Sequence, residues 1–263
     1  MEFEAALATT TDARGVFGAP LTYVEETGST NDLAMRAADA GAPEGATFVA
    51  GAQRAGRGRL GRTWFSPPGA GLYVSVVLRN PAVAPWITLA GGVAVAEGVR
   101  QATGLPVEIK WPNDVVAVTG GAFERRRKLA GVLTEASTGA DGLQYIVLGF
   151  GINLRPAAFP PELADRATSI ETELGRAVEP GPVLASVLTA LNGAVRDGLA
   201  DAANVLLPRW RALSPSVSGA AIEWDTPGGV RRGVTAGLAP DGALLARSAQ
   251  GTERIRSGEV RWA

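Results

Sequence analysis

Residues 107–118 read VEIKWPNDVVAV, and residues 128–149 read KLAGVLTEASTGADGLQYIVLG. Short apolar runs rich in Val, Ile and Leu alternate here with turns of Pro, Asn, Asp and Gly, a pattern typical of β-strands joined by tight connections. Successive strands without an intervening helix favour an α+β fold over a strict alternation of strands and helices. The pattern predicts four strands, at residues 107–111, 115–118, 128–136 and 143–149.

The residues before this stretch predict the elements that complete the layer. Residues 29–32, STND, are typical of a helix N-cap, and the apolar spacing that follows ends at Gly41. Residues 47–52 and 72–79 are predicted strands, joined by a long segment of Gly, Arg and Pro without apolar periodicity. Residues 85–103 carry helical spacing, so we expect a buried helix across one face of the sheet.

The last third of the chain predicts a long helical region followed by a small β unit. Helical spacing covers residues 182–213, which Gly198 and Pro208 are expected to end or bend. Four short strands then alternate with turns, at residues 220–224, 230–237, 243–247 and 252–255. We therefore predict a loose N-terminal extension, a main α+β domain and a small C-terminal β domain, at residues 1–20, 21–214 and 215–263.

Two residue types that serve many active sites are missing, because the 263 residues include no Cys and no His. Disulfides, thiolate nucleophiles, Ser-His-Asp triads and zinc sites of Cys or His are therefore excluded. Any metal would need oxygen ligands, which Mg²⁺ prefers. With 25 Lys and Arg against 26 Asp and Glu, the chain is not expected to coat nucleic acid. The sequence contains no secretion signal and no membrane-spanning stretch, which predicts a cytoplasmic protein without membrane contact.

Residues 56–62, GRGRLGR, formally match the GxGxxG dinucleotide fingerprint, but their context argues against it. That fingerprint opens a helix, whereas Pro67 and Pro68 follow within a few residues here. Guanidinium groups bind phosphate or carboxylate through paired hydrogen bonds, and glycines let backbone amides approach an anion. We interpret this segment, the arginine loop, as a mobile anion clamp. The alternative from another class is an Arg/Gly loop that binds nucleic acid.

Only two of the basic residues are lysines, which suggests sites that need a compact ammonium group. Lys110 begins the motif KWPND, and Lys128 begins KLAGVLTE. The motif GFGINL at residues 149–154 ends an apolar strand with glycines that permit close ligand approach and an Asn that can bind a base edge. Ser29-Thr30-Asn31 adds hydroxyl and amide groups at a helix N-terminus, so four motifs together predict a binding site.

The chain resembles the bacterial biotin–protein ligase family over about residues 24–155. The motifs that carry this resemblance are, in chain order, Ser29-Thr30-Asn31, Gln53, GRGRLGRTW, LYVSVVLR, KWPNDV, KLAGVLTE and LGFGINL. The resemblance implies a mixed sheet packed with helices, similar to class II synthetases, and a small C-terminal SH3-like β-barrel. Lipoate ligases and octanoyl transferases share that fold without the arginine loop. They are the alternative within enzymes.

The resemblance implies a two-step ligase reaction with ATP and biotin as substrates and Mg²⁺ as cofactor. The biotin carboxylate first attacks the α-phosphate of ATP, which releases pyrophosphate and forms biotinyl-5′-AMP. A specific lysine of a biotin carboxyl carrier protein then attacks this mixed anhydride. No covalent enzyme intermediate is needed, which agrees with the missing Cys and His.

The resemblance also implies roles for individual residues. Lys128 would bridge the biotin carboxylate and the α-phosphate, with Arg59 and Arg57 as further catalytic groups, and Trp64 would stack on adenine. The biotin site would comprise Ser29, Thr30, Asn31, Gln53, Gly56, Arg57, Gly58, Arg59, Lys128, Gly131 and Gly149. The ATP site would comprise Arg59, Arg62, Trp64, Asn113, Lys128 and Asn153.

Several expectations concern the surroundings of the site. Asp114 would bind Mg²⁺ or an ordered water, and Lys110 is expected to pair with it. Regulatory family members carry a DNA-binding domain, which the roughly 28 residues before the first motif cannot hold, so we expect no DNA binding. Residues 119–127 end in three arginines and are interpreted as a solvated basic loop. A monomer or homodimer is expected, with residues 143–149 as the candidate pairing edge.

Overall fold

The computed structural model describes residues 2–119, 125–140 and 142–262, and within them a seven-stranded mixed sheet forms the centre of the fold. Its strands are β1 (Leu21–Thr27), β2 (Thr47–Gln53), β3 (Gly71–Leu78), β4 (Val107–Lys110), β5 (Asp114–Thr119), β6 (Arg125–Gly139) and β7 (Gly142–Asn153). Their order across the sheet is β1-β2-β3-β7-β6-β5-β4. β1 and β2 are parallel, and the other described neighbours are antiparallel. The predicted α+β class is confirmed.

Helices cover the sheet in layers. They are α1 (Glu2–Ala8), α2 (Thr11–Arg14), α3 (Thr30–Asp39), α4 (Ile87–Thr103), α5 (Ile170–Leu174), α6 (Pro180–Asp201) and α7 (Leu207–Ala212). The predicted helix over residues 85–103 is confirmed as α4, which is buried between the sheet and α6. Gly98 allows this close packing, because a Cβ there would overlap the backbone of Val187 in α6.

The N-terminal residues are not the loose extension that the sequence predicts. α1 and α2 pack on α6, and Leu7 and Phe17 are buried in the main hydrophobic core. Arg14 is buried beside them, and its guanidinium donates to the carbonyl oxygens of Leu7 at 3.3 Å and Phe17 at 2.6 Å. These bonds tie Leu7 of α1 to Arg14 of α2 and to the turn that follows it, which helps to order the segment.

The predicted helix over residues 182–213 is interrupted after Asp201 rather than at Gly198. The Asp201 carboxylate accepts the backbone N–H of Asn204 at 3.0 Å, and Ala202–Leu206 form a π-helical turn before α7. Gly198 lies inside α6, where its missing Cβ leaves room for the ring of Trp86. Pro208 occupies the first turn of α7, a position that needs no N–H donor.

A second, antiparallel sheet of five strands forms the C-terminal part of the described chain. Its strands are β8 (Ser218–Thr226), β9 (Gly229–Leu238), β10 (Leu244–Ser248), β11 (Gly251–Ile255) and β12 (Val260–Trp262). The four predicted strands are confirmed, whereas β12 is too short to give an alternating pattern. The buried Trp111 indole donates to the Gly242 carbonyl at 3.1 Å and links this sheet to the main one. The domain division and an SH3-like barrel stay predictions.

The position of β7 overturns one expectation. β7 lies inside the sheet and is hydrogen-bonded to β3 on one side and β6 on the other. The prediction that residues 143–149 offer a free pairing edge is therefore wrong, and β1 and β4 stand at the two ends of the strand order. None of the described helices combines the length and apolar character needed to cross a membrane.

Candidate functional site

A polar surface forms where the N-terminus of α3 meets the sheet. We call this surface, which consists of Ser29, Thr30, Asn31 and Gln53, the polar wall. Ser29 is the N-cap, as predicted, and its hydroxyl accepts the backbone N–H of Asn31 at 3.3 Å. The backbone N–H of Thr30 donates to Gln53 Oε1 at 2.8 Å. A helix N-terminus leaves backbone N–H groups without helical partners, and these bonds satisfy two of them. The predicted residues of this region therefore lie side by side.

A buried hydroxyl extends the wall and was missed from the sequence. Ser75 Oγ on β3 lies 2.8 Å from Thr30 Oγ1 and 2.5 Å from Asn31 Oδ1. Asn31 Nδ2 donates in turn to Glu135 Oε2 at 2.5 Å. Because buried polar groups here bond to one another, the network holds the wall in one arrangement. The available signal was a serine within the otherwise apolar run at residues 72–78.

Glycines on β6 and β7 let the strands approach polar side chains closely. A Cβ at Gly149 would overlap Asn31 Oδ1, and one at Gly151 would overlap the indole of Trp64. Gly131 is the register partner of Gly151, and a Cβ there would crowd both the Trp64 ring and the end of the Lys128 side chain. Any larger residue would fill the space between the strands and these side chains.

The arginine loop is anchored at its first arginine. The Arg57 guanidinium donates to Asp32 Oδ1 at 2.6 Å and to Glu135 Oε2 at 2.9 Å. Burial lowers the pKa of Arg57, but the hydrogen bonds to Glu135 and Asp32 outweigh it and the pKa is raised overall. The loop backbone closes on itself, because the N–H of Gly58 donates to the carbonyl of Arg62 at 2.7 Å. The charge of Arg57 is therefore neutralised by the protein's own carboxylates.

Arg59 and Lys128 meet beside the KWPND turn. Arg59 Nη1 donates to Asn113 Oδ1 at 3.0 Å, and Lys128 Nζ lies 2.7 Å from Asp114 Oδ1. Lys128 Nζ also lies 5.2 Å from the centroid of the Trp64 ring, within cation–π range. Burial lowers the pKa of Arg59, and the charge of Asp114 opposes this shift. The predicted convergence of the loop with Lys128 is present.

Arg59 and Lys128 lie in the wall that two adjoining cavities share. Both cavities are lined by Gly58, Arg59, Trp64, Asn113 and Lys128. The first also takes in Ser29, Thr30, Asn31, Gln53, Arg57, Gly131 and Gly149. The second adds Arg62, Lys110, Asp114 and Glu259. Two ligands, one in each cavity, would touch the same two cations.

The second cavity lies between the main sheet and the C-terminal residues. Arg62 forms an ion pair with Glu259, and its hydrogen bond lowers the pKa of that carboxyl. Lys110 Nζ lies 4.7 Å from the ring centroid of Trp262, and burial lowers the pKa of Lys110. Lys110 and Asp114, predicted to pair, are register partners in the β4–β5 ladder, and the charge of Asp114 opposes the shift of the Lys110 pKa. The ion pair of the Asp114 carboxylate is with Lys128 instead.

Two predicted site residues line neither cavity. The Asn153 side chain is buried and donates to the backbone carbonyl of Thr168 at 2.9 Å. Gly56 lies against Trp64, where a Cβ would overlap the Trp64 carbonyl. Gly56 therefore shapes the loop backbone, while the Asn153 amide already has a partner.

The predicted basic loop at residues 119–127 falls partly outside the described residues, which resume at 125 within β6. The expectation of a solvated loop is wrong for Arg126 and Arg127. Arg126 Nε donates to Glu108 Oε2 at 3.3 Å, and Arg127 Nη2 donates to Glu173 Oε1 at 2.7 Å. These arginines are paired on the sheet, away from both cavities.

The described side chains do not form a site that could hold a metal ion without further ligands. In residues 2–119, 125–140 and 142–262, no three Asp, Glu, Cys or His side chains come together. Asp114, the predicted Mg²⁺ ligand, already bonds Lys128, whose positive charge opposes a cation beside it. We therefore assign no chemical step to a metal ion.

Comparison with known proteins adds independent findings. A sequence profile described as the biotin/lipoate A/B protein ligase family matches residues 23–153. The bifunctional ligase/repressor BirA of Bacillus subtilis is 32% identical over 93% of this chain and 74% of that protein. The biotin–[acetyl-CoA-carboxylase] ligase of Paracoccus denitrificans is 32% identical over 89% of this chain and 97% of that protein. The Aquifex aeolicus biotin protein ligase, solved with biotin and ATP, superposes with a TM-score of 0.78 at 28% identity, covering 92% and 99% of the two chains.

Proposed function

The chain belongs to the biotin/lipoate A/B protein ligase family, and we propose that it is an ATP-dependent biotin–protein ligase. It joins biotin to AMP and then transfers biotin to a lysine of a biotin carboxyl carrier protein. The observation that carries this proposal is that two cavities meet at Arg59 and Lys128. An acid in the first cavity and a nucleotide in the second would share these cations.

The polar wall favours biotin over lipoate or octanoate. The ureido ring of biotin carries two N–H donors and a carbonyl acceptor, whereas the far ends of lipoate and octanoate are apolar. Thr30, Asn31 and Gln53 offer amide and hydroxyl groups that can exchange bonds with a ureido ring. An apolar tail would bury these groups without new partners, which is costly. We therefore place the ring against the wall and the biotin carboxylate at Lys128.

We place ATP in the second cavity, with its α-phosphate at the common wall. Arg62 supplies a guanidinium for phosphate oxygens once it exchanges its bond with Glu259. Trp64 is assigned to the adenine, because it lines both cavities. Asn113 lies within the same cavity. Asn153 reaches the base only by exchanging its bond to Thr168.

In the first step, a biotin carboxylate oxygen attacks the α-phosphorus, and the bond between that phosphorus and the pyrophosphate oxygen breaks. Both reactants are anions, so the reaction needs positive charge at the point of contact. Lys128 and Arg59 provide it from fixed positions, and one such donor is typically worth about 3–4 kcal/mol of transition-state stabilisation. The ammonium of Lys128 fits between two oxygens that belong to different molecules.

In the second step, the carrier lysine attacks the carbonyl carbon of biotinyl-5′-AMP as a neutral amine. An amide bond forms, and AMP leaves with the oxygen that came from the biotin carboxylate. Water would hydrolyse the same anhydride, so the site must exclude it until the carrier arrives. We assign this protection to the arginine loop, which contributes Arg57, Gly58 and Arg59 to the first cavity.

Pyrophosphate release tests the proposal. The purified protein is given ATP with biotin, lipoate or octanoate, and we expect release with biotin alone. Release with lipoate or octanoate instead would favour the related attachment enzymes. No release with any acid, together with salt-dependent binding of RNA or DNA, would favour the nucleic-acid alternative.

The proposal extends to the setting of the reaction. The carrier belongs to a biotin-dependent carboxylase, and catalysis takes place in the cytoplasm by a monomer or homodimer without a DNA or membrane partner. Mg²⁺ would accompany ATP through phosphate oxygens, since the described residues offer no cage of their own.

A further inference from the structure

We propose that Glu135 is a positioning residue that couples the polar wall to the arginine loop, an inference that rests on the proposed function. One oxygen, Glu135 Oε2, accepts hydrogen bonds from both Asn31 Nδ2 at 2.5 Å and Arg57 Nη2 at 2.9 Å. Glu135 itself lines neither cavity. It therefore acts through the two residues that do.

Three elements distant in the sequence meet at this carboxylate. Glu135 lies on β6, seven residues along the strand from Lys128. Asn31 lies in the first turn of α3, and Arg57 is the first arginine of the arginine loop. Because two donors share one acceptor oxygen, a shift of the loop at Arg57 changes the bond that holds Asn31. The carboxylate thus joins the binding surface for the ring to the segment that covers the ligand.

The charge of Glu135 also sets the direction of the hydrogen bonds in the wall. A carboxylate only accepts, so the Asn31 amide must turn its NH₂ group toward Glu135 and its carbonyl oxygen toward Ser75. The Ser75 hydroxyl then donates toward Asn31 Oδ1 and Thr30 Oγ1, and the Thr30 hydroxyl donates to Gln53 Oε1 at 3.1 Å. Without the carboxylate, the Asn31 amide could face either way, and the wall would no longer present one pattern to the ureido ring.

Arg57 and Arg59 consequently have different tasks. Arg57 bonds two carboxylates, those of Asp32 and Glu135, so little of its charge remains for a ligand. Arg59 bonds the neutral Asn113 amide and keeps its charge at the common wall of the cavities. The loop is therefore fixed at Arg57 and neutralises the reactants at Arg59.

Three carboxylate-to-amide variants separate coupling from simple loss of charge. Glu135→Gln removes the charge of the shared acceptor. Asp32→Asn removes a contact that Arg57 makes outside the polar wall. Glu26→Gln removes an exposed partner of Arg54, next to the arginine loop. Each variant keeps the shape of the side chain. Melting followed by circular dichroism verifies that each one folds.

Two measurements are made on each variant, the rate of trypsin cutting at the arginine loop without ligand and the Michaelis constant for biotin. For Glu135→Gln we expect about three- to fivefold faster cutting and a similar rise in KM, with kcat changed less than about twofold, because the residue touches no reacting atom. Asp32→Asn should accelerate cutting but raise KM less than Glu135→Gln does, because it loosens Arg57 and leaves the bond from Asn31 to Glu135 in place. Glu26→Gln should change neither.

The outcomes separate a failure of the proposed function from a failure of the coupling through Glu135. If the wild-type protein releases no pyrophosphate with biotin, the proposed function fails, whereas the cutting rates still test the anchor at Arg57. If the wild type is active and Glu135→Gln matches it in both measurements, the coupling is refuted. Equal effects of Glu135→Gln and Asp32→Asn on KM would also refute it, since only the Glu135 carboxylate accepts both Asn31 and Arg57.

Discussion

Lys128 Nζ lies 2.7 Å from Asp114 Oδ1, and both residues line the cavity assigned to the nucleotide. About a third of the Lys128 side chain and a quarter of the Asp114 side chain are exposed, so the pair is partly hydrated. Exposed ion pairs are weak, and the ammonium can turn toward a ligand oxygen at little cost. Asp114 thus holds the lysine at the common wall until the two anionic reactants arrive.

Lys128→Ala should abolish adenylate formation. The variant loses the one ammonium that both cavities share, and removal of such a preorganised donor typically lowers kcat by about 100- to 1000-fold. Lys128→Arg should restore the rate only in part, because a planar guanidinium cannot occupy the place of a compact ammonium. Pyrophosphate release with biotin and ATP gives the rates.

Arg36→Ala serves as the control for Lys128, since Arg36 is exposed on α3 and lines neither cavity. It should retain the wild-type rate. Normal pyrophosphate release by Lys128→Ala would show that another group neutralises the reactants.

Gly149→Ala should weaken biotin binding strongly, because the new methyl group would overlap Asn31 Oδ1 and push the amide out of the wall. Gly28→Ala is the matched control: its added Cβ meets no atom within 4 Å, and its backbone does not need a glycine. Isothermal calorimetry with biotin measures both. Equal affinity of the two variants would mean that Asn31 does not contact the ring.

Much of the site follows from the sequence, because local patterns determine it. The N-cap at Ser29, the strands between residues 107 and 149 and the glycines beside polar positions all carry local signals, and the structure brings them together. Alternating apolar residues define a strand, but they do not say which strand becomes its neighbour. For that reason β7 was expected at an edge and lies inside the sheet.

The contacts that sequence reasoning missed depend on the tertiary fold. Asp32 resembles an ordinary residue of a helix start, and Glu135 resembles the polar end of a strand. Nothing in their local sequence indicates that both bond Arg57. Glu259 reaches Arg62 from the C-terminal residues for the same reason. Long-range carboxylate pairs are visible only once the strands and helices are packed.

Phe17→Ala tests whether the N-terminal segment belongs to the core. Phe17 is 2% exposed, and truncation of such a buried ring costs about 3–5 kcal/mol of unfolding free energy. Val16→Ala, at a side chain 51% exposed, should cost less than about 0.5 kcal/mol. Urea unfolding measures both variants. If they unfold alike, residues 1–20 are the loose extension that the sequence suggested.

The pairing of Arg62 with Glu259 predicts a pH-dependent contribution to stability. The hydrogen bond from Arg62 lowers the folded-state pKa of Glu259, so the stabilisation is present above the ordinary glutamate pKa and is lost as the pH falls through the lowered value. Glu259→Gln should destabilise the protein at pH 7, by less than about 1 kcal/mol because the pair is exposed. The difference should be smaller at pH 3 than at pH 7, because pH 3 lies below the ordinary pKa of a glutamate side chain and the unfolded state is then largely protonated. An equal difference at both pH values would contradict this.

The central claim is that a biotin oxygen and the α-phosphorus of ATP become bonded at Lys128 and Arg59. Biotin labelled with ¹⁸O in its carboxylate, incubated with the protein, ATP and a carrier domain, tests this bond directly by mass spectrometry of the released AMP. The account predicts AMP that carries one ¹⁸O atom together with biotinylated carrier. Unlabelled AMP, or ADP and phosphate in its place, would contradict it.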